Sequence, residues 1–343
     1  MRLAQVGVGR IGQLHAQVLA NHPEVEGLVL ADVDRTRARE VAAGLGAIVA
    51  EVDEAIDAAD GLVIAAATNA HATLIRRALA RSIPIFCEKP LALDLGETAR
   101  LVDEIEASGI AFQLGFHRRF DSAYKEARRR VMSGEIGRLY QARMIAMDHT
   151  PPPEAYIPTS GGFFRDSSIH DFDAIRFITG DEVETIQVEG AALGSDVFAR
   201  YGDVDTVVAS MRLRGGTLAV LAGGRHNPRG YDVRMELVGS EDAVVMGLGQ
   251  HTPLRALDPD PVGLTTAWDS FLDRFAPAYQ AELGAFVEVA AGRAASACTA
   301  RDGLEAMRIA EAASRSLVEA RRVALQEIVA GGEKEVSPEL ISR

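Results

Sequence analysis

Over the first 116 residues, short apolar runs alternate with stretches in which apolar residues recur every three or four positions. The runs lie at 3–6, 27–32, 47–50, 61–67, 83–87 and 110–116. Helical spacing occupies "QLHAQVLAN" at 13–21, then 52–59, 70–81 and 94–108. Asp94 and Glu97 form a capping-box pair at the start of the last. Strands alternating with helices predict a parallel, doubly wound α/β sheet, whose ligands bind beyond the carboxyl ends of the strands. That edge carries "TNAH" (68–71), "CEKP" (87–90) and "FHRR" (116–119).

After about residue 120 the pattern changes. A helix over 122–133 leads to apolar runs at 139–147, 183–193, 206–213, 217–223, 232–238 and 242–246. Several alternate apolar and polar residues, as in "RMELVG" at 234–239, which suits an antiparallel sheet with one face covered. Helical spacing returns at 277–291 and 303–324, where Asp302 and Glu305 read as a second capping box. "DHTPPPEAYIPTSGG" at 148–162 is too rich in proline and glycine for a helix or central strand, and predicts a loop that covers a site. The expected domains are 1–120, 121–330 and a poorly ordered tail at 331–343.

With 343 residues, the chain is long enough for two domains with large cores. A net charge of −13 argues against a nucleic-acid partner or an anionic membrane surface. The basic run "EARRRV" at 126–131 reads as a solvated helix face. No signal peptide and no membrane-length apolar run are visible, and two distant cysteines suggest neither a disulfide framework nor a zinc site. The expected location is the cytoplasm.

"GVGRIG" at 7–12 is G-x-G-x-x-G between a strand and a helix, the setting a dinucleotide turn requires. Gly7 permits the tight turn, Gly9 the approach of a pyrophosphate, and Gly12 close helix–strand packing. The helix N-terminus offers free N–H groups to phosphate. Asp32, twenty residues after Gly12, stands where a carboxylate binds the ribose diol and repels a 2′-phosphate, favouring NAD over NADP. Arg35 and Arg37 just beyond weaken that preference. Arg10, Ile11, Thr68, Asn69, Glu88 and Lys89 are further candidate cofactor residues. Lys89 reads either as a surface lysine or as a group reaching a nicotinamide and a substrate hydroxyl. His71 reads either as structural or as a cofactor contact.

"RDSSIHDFDAIRFIT" at 165–179, read as a helix, sets Asp166, His170 and Asp173 on one stripe at i, i+4 and i+7. Ile169, Phe172 and Phe177 would face the core, and Asp171 would be solvated. A metal site lacks assured ligands, and a plain polar face is possible. Proton transfer is the chemically fuller reading, because an imidazole flanked by carboxylates is an apt base for an alcohol proton.

These pieces resemble the Gfo/Idh/MocA oxidoreductase family, and within it the inositol dehydrogenase branch. The resemblance rests on "GVGRIG" (7–12), "ADVD" (31–34), "CEKPLA" (87–92) and "GFHRRFD" (115–121). It continues in "SGGFFRDSSIHDFD" (160–173), "GYDVRMELVGS" (230–240) and "RFAPAYQAELGAF" (274–286). It implies a Rossmann domain followed by an α/β domain with a large open, mainly antiparallel sheet through which such proteins form dimers or tetramers. It further implies a catalytic set of Lys89, Asp166 and His170, with His170 taking the hydroxyl proton. Lys89 would hold the developing alkoxide, Asp166 would orient Lys89 or a substrate hydroxyl, and Asp173 would orient His170 or bind a hydroxyl.

The implied reaction is NAD-dependent oxidation of a secondary hydroxyl of a cyclic polyol or sugar, with myo-inositol the leading candidate. His117, Asp148, Tyr156 and Tyr231 are candidate substrate contacts. Ser167 and Ser168 depart from the Met-Thr usual after the catalytic Asp of inositol dehydrogenases, and His117 and His149 also depart, so the reaction class is better supported than the substrate. Two alternatives are an enzyme that retains NAD for glycoside cleavage or sugar–sugar redox exchange, and a non-catalytic dinucleotide-responsive regulator.

Overall fold

The computed structural model of the chain describes residues 1–257 and 266–329. The expected tail at 331–343 lies outside the described residues. The chain divides into two compact units, one of Met1–Phe120 with Pro277–Leu304, the other of Asp121–Ala276 with the chain from Glu305 onward.

In the first unit the apolar runs become β1 (Arg2–Val6), β2 (Gly27–Ala31), β3 (Ile48–Val49), β4 (Gly61–Ile64), β5 (Ile85–Glu88) and β6 (Phe112–Gly115). They form one parallel sheet in the order β3-β2-β1-β4-β5-β6. The connecting helices are α1 (Arg10–Ala20), α2 (Arg35–Leu45), α3 (Val52–Asp57), α4 (Thr68–Arg81) and α5 (Leu95–Ser108). The strand order reverses between β1 and β4, the position at which such sheets bind ligands. Asp94 caps α5 as expected, its Oδ1 accepting the Glu97 N–H at 2.7 Å, but the Glu97 carboxylate takes Arg100 Nε at 2.8 Å and Arg76 Nη1 at 2.8 Å, so the second half of the expected capping box does not form. α4 begins at Thr68, two residues earlier than the apolar spacing suggests, so Thr68 and Asn69 belong to its first turn.

Helix Ala276–Ala290 shows where pattern alone misleads. Its spacing reads as part of the second domain, yet Leu283, Phe286 and Val287 are fully buried in one cluster with Leu3, Leu30 and Phe86 of the parallel sheet. Helix Ala300–Glu319 starts three residues before the expected point. Its capping box is Thr299 with Asp302: the Thr299 N–H donates to Asp302 Oδ2 at 2.8 Å, and the Asp302 N–H to Thr299 Oγ1 at 3.3 Å. Asp302 therefore occupies the N3 position of that box, and the expected Asp302–Glu305 pair does not start the helix.

The second unit opens with α6 (Ser122–Met132), capped by Asp121, whose Oδ1 accepts the N–H groups of Ala123 and Tyr124. Next come β7 (Leu139–Met147), α7 (Ile169–Thr179), β8 (Val183–Ala191), β9 (Thr206–Leu213), β10 (Leu218–Gly224), β11 (Asp232–Gly239), β12 (Ala243–Met246) and β13 (Val323–Ala324). The strands form a mixed sheet in the order β12-β11-β7-β10-β9-β8-β13. β7 and β10 run parallel, and the other neighbours pair antiparallel. β9 follows the alternation rule: Val207, Ala209, Met211 and Leu213 are buried while Val208, Ser210 and Arg212 face outward.

A carboxylic acid is sealed inside the first unit. Glu282 is fully buried. Gln113 Nε2 bonds its backbone oxygen at 2.8 Å, but neither side-chain oxygen has a hydrogen-bond partner among the described residues. Burial pushes its pKa well above the ordinary carboxylate value of 4.5, and the nearby Glu88 carboxylate pushes the same way. The folded protein thus keeps a proton that the unfolded chain releases, and this contribution to stability declines as pH rises above about 4.5. Glu282→Gln, which has no proton to lose, should show a flatter decline of Tm with rising pH than the native chain. Equal slopes across that range would mean that Glu282 is ionised in the fold.

Candidate active site

The glycine turn is built by close approach. Gly7 has φ +99°, and a Cβ there would lie 2.4 Å from the Ala65 carbonyl oxygen at the end of β4. A Cβ on Gly12 would lie 2.3 Å from the Gly7 carbonyl oxygen. Gly9, which precedes α1, differs: a Cβ there would meet no protein atom within 4 Å, so this part of the turn stays approachable from outside. Gln5, fully buried on β1, fastens the turn by donating from Nε2 to Gly7 O at 2.9 Å and Gly12 O at 2.6 Å. Asp32 follows β2, its carboxylate accepting the Val8 N–H at 2.7 Å and the Asp34 N–H at 2.8 Å. Arg37 Nη2 stands 3.6 Å from the same carboxylate. A Cβ-free cradle, a helix N-terminus and an adjacent carboxylate fit a dinucleotide. Arg10 and Ile11 are the first two residues of α1, with Arg10 exposed and Ile11 half-buried.

The "EKP" segment ends β5. Glu88 is held from two sides, with Oε1 2.7 Å from His15 Nε2 and Oε2 accepting the Lys89 N–H at 3.2 Å. The half-buried Lys89 thus projects from a backbone anchored by its neighbour's side chain. His71 is buried, with Nδ1 2.8 Å from the Pro90 carbonyl and Nε2 3.1 Å from that of Ala66. Desolvation lowers its pKa despite those two carbonyls. It tethers the turn after β4 to the turn after β5.

In the second unit, the expected regular helix over 165–179 is not uniform. Phe164–Ser168 form one π-helical turn, and α7 proper starts at Ile169. π turns carry an extra residue and recur at functional sites. Here the turn carries Asp166 and leads directly to His170, which is half-buried. Tyr156 Oη donates to Asp166 Oδ1 at 2.9 Å, and Arg225 Nη2 donates to Asp166 Oδ2 at 2.8 Å. Arg225 Nη1 also reaches Asp148 Oδ2 at 3.4 Å. Burial opposes the charge of Arg225, but Asp166 and Asp148 outweigh it and raise its pKa. Asp203, mostly buried, has its pKa raised by desolvation, partly countered by the N–H groups of Phe163 and Val204.

Comparison with known proteins agrees with both halves. Residues 1–116 match the oxidoreductase family model with an NAD-binding Rossmann fold, and residues 124–245 match the Gfo/Idh/MocA C-terminal domain. A myo-inositol dehydrogenase of Streptomyces leeuwenhoekii is 38% identical over 324 residues, covering 92% of this chain and 97% of that protein. The chain belongs to the Gfo/Idh/MocA family. The crystal structure of a putative myo-inositol dehydrogenase from Sinorhizobium meliloti matches with a TM-score of 0.89 at 31% identity, covering 95% of this chain and 99% of that one. A scyllo-inositol dehydrogenase from Lactobacillus casei, solved with bound NAD(H) and scyllo-inositol, matches with a TM-score of 0.84 at 27% identity, covering 95% and 99%. As a Gfo/Idh/MocA oxidoreductase, this protein uses NAD as its cofactor.

Several candidate residues sit differently from the plain helical reading. Asp171 is not solvated: it is 1% exposed, as is Asp173. α7 packs against α6 and also against β7, so no side of its first turns is left wholly to water. Ile169 and Phe172 are buried as expected, but Phe177 is half-buried under the Arg128 guanidinium, 4.8 Å from its ring centre. His117 is 3% exposed and stacks on Tyr279 with ring centres 4.5 Å apart, so it is packed inside the first unit. Tyr231 is buried, edge-on to Phe275 at 6.5 Å. The departing His149 pairs through Nδ1 with Asp269 Oδ1 at 2.7 Å.

Sequence reasoning did not single out Gln5, His15 or Arg225. A glutamine inside an apolar strand and an arginine in a Gly-rich turn were their only signals. Among the described residues, no group of three or more His, Cys, Asp or Glu side chains is arranged to hold a metal.

The cradle generates a direct test. Gly12→Ala should cost about 1–3 kcal/mol in stability by overpacking and should weaken NAD binding measured by calorimetry. Unchanged NAD affinity would show that the close contact with Gly7 does not shape the cofactor site.

Proposed function

We propose that the protein oxidises a secondary hydroxyl of a cyclic polyol, with myo-inositol the first candidate, using His170 as proton acceptor. One observation carries this reading: the π turn holds Asp166 between a hydroxyl and a guanidinium, one turn before a half-buried histidine, in a chain whose other unit has an NAD-binding cradle. Relatives named for the oxidation of inositols support the substrate class.

NAD, when bound, supplies the hydride acceptor. The carbinol C–H bond gives its electron pair and hydrogen as hydride, while the hydroxyl proton passes to His170. Lys89 donates to the reacting oxygen and stabilises its developing negative charge. Asp173, buried three residues beyond His170, orients the imidazole. Asp166, Asp148, Tyr156 and Tyr231 supply hydrogen-bonding groups for the remaining hydroxyls. Thr68, Asn69 and Glu88 contribute to binding the cofactor, and Asp32 holds its adenosine ribose.

A homo-oligomer, dimer or tetramer, is supported by the outward face of the second sheet, where Tyr140, Val208 and Leu218 are about half exposed. Among the described residues no helix is long and apolar enough to cross a membrane. Cys87 and Cys298 are both buried and neither is in a disulfide, which supports a reducing, cytoplasmic setting.

The test is NADH formation with purified protein, NAD or NADP, and a panel of inositols, aldoses and amino sugars. Turnover with one cyclic polyol is expected, faster with NAD. His170→Ala should lower kcat by about a hundred- to ten-thousand-fold while NAD still binds. Unchanged turnover in that variant would remove His170 from the chemistry. Protein that binds NAD tightly and releases no NADH with any polyol would favour retained-cofactor chemistry instead.

A further inference from the structure

β7 and β10 run parallel and finish in register, with Met147 opposite Gly224. The residues that follow them are Asp148 and Arg225. Both backbones are pinned: Asp148 N–H donates to Gly224 O at 2.9 Å, and Arg225 N–H to Asp205 O at 2.8 Å. The Arg225 side chain then turns inward and is 5% exposed. Its Nη2 meets Asp166 Oδ2 at 2.8 Å, its Nη1 reaches Asp148 Oδ2 at 3.4 Å, and its guanidinium lies 5.1 Å from the centre of the Phe163 ring. Space is made by Gly223, where a Cβ would stand 3.1 Å from that ring.

We infer that Arg225 is the positioning residue of the second unit's half of the site, acting through Asp166 and tying it to Asp148. This rests on the polyol dehydrogenase reading above, in which Asp166 meets substrate. The physical case is one of uncompensated charge. Asp148, Asp166 and Asp203 surround the cluster, and Arg225 is the cation that the described contacts set among them. Tyr156 adds a neutral donor on the far oxygen of Asp166. A buried carboxylate that loses its cation either takes a proton or swings towards water. Either outcome would change Asp166 from a fixed acceptor of substrate hydroxyls into a mobile or neutral group. A fork of N–H donors spans two carboxylates at once, which the single ammonium of lysine does not reproduce.

The NAD cradle is built from other residues, so loss of Arg225 should appear in polyol turnover and not in NAD affinity. Arg225→Met should lower kcat with the best polyol at least tenfold while leaving the dissociation constant for NAD within about twofold. Arg225→Lys, the variant expected to fold most readily, should recover part of the loss.

The decisive measurement is a double-mutant cycle with Asp166→Asn, scored on kcat and kcat/KM in protein shown by thermal melting to be folded. In the Asp166→Asn background, Arg225→Met and Arg225→Lys should each change kcat less than twofold, because the carboxylate they act through is gone. Losses that multiply independently would overturn the inference and leave Arg225 as a structural staple. So would an Arg225→Lys or Arg225→Met enzyme with native kcat beside an impaired Asp166→Asn enzyme. If Asp166→Asn alone turns over like the native protein, the site reading itself fails, and the inference with it.

Discussion

A backbone carbonyl and the first turn of a helix come so close at Gly7 and Gly12 that no side chain fits between them. The parallel sheet depends on that contact for its use. It turns the chain from β1 straight into α1, so the helix N-terminus opens at the carboxyl edge of the sheet. The carbonyl oxygens of Gly7 and Gly12 come within reach of a single donor. Buried Gln5 places one NH₂ between them. The same edge receives Asp32 from β2 and the Glu88–Lys89 pair from β5, each held by hydrogen bonds to a neighbouring segment.

In the second unit the governing problem is charge away from water. α7 begins with acidic residues yet packs on more than one side, so Asp171 and Asp173 are carried into the interior. Asp166 escapes the regular helix through the π turn and meets Tyr156 and Arg225 instead. The cost of sequestering Asp166 is offset by the directed donors of Tyr156 and Arg225. Fixed donors also hold the Asp166 carboxylate in one orientation.

The alternation of strands and helices in the first 116 residues was legible because a buried parallel strand must be apolar along its whole length, whatever surrounds it. The glycine turn was legible because only glycine meets its steric demand. Helix ends were less so: Asp302 suits either the N-cap or the N3 position of a capping box, and Thr299 decides between them only once its own N–H is seen to pair with Asp302. Helix Ala276–Ala290 has a clear apolar pattern, but a pattern does not say which core it enters. Asp171 was misread because helical counting assumes one solvent side, and α7 has none in its first turns.

By itself, the sequence determined the alternation of strands and helices in the first 116 residues and the dinucleotide turn, and it singled out Lys89, Asp166 and His170 as a chemical expectation. These are local properties: periodicity, the absence of a Cβ, and the titration behaviour of a side chain act within a few residues. The sequence did not foresee the short helix Glu154–Thr159 inside the proline-rich loop or the strand Val323–Ala324 inside the expected last helix. Only the tertiary structure decided that residues 277–304 return to the first unit. It also decided that Glu282 is sealed from water, that His71 and His117 are packed, and that a guanidinium 59 positions away in sequence meets Asp166. Each of those depends on what lies across a sheet or beneath a helix, and burial there, not residue type, sets whether a polar group is solvated, neutral or paired.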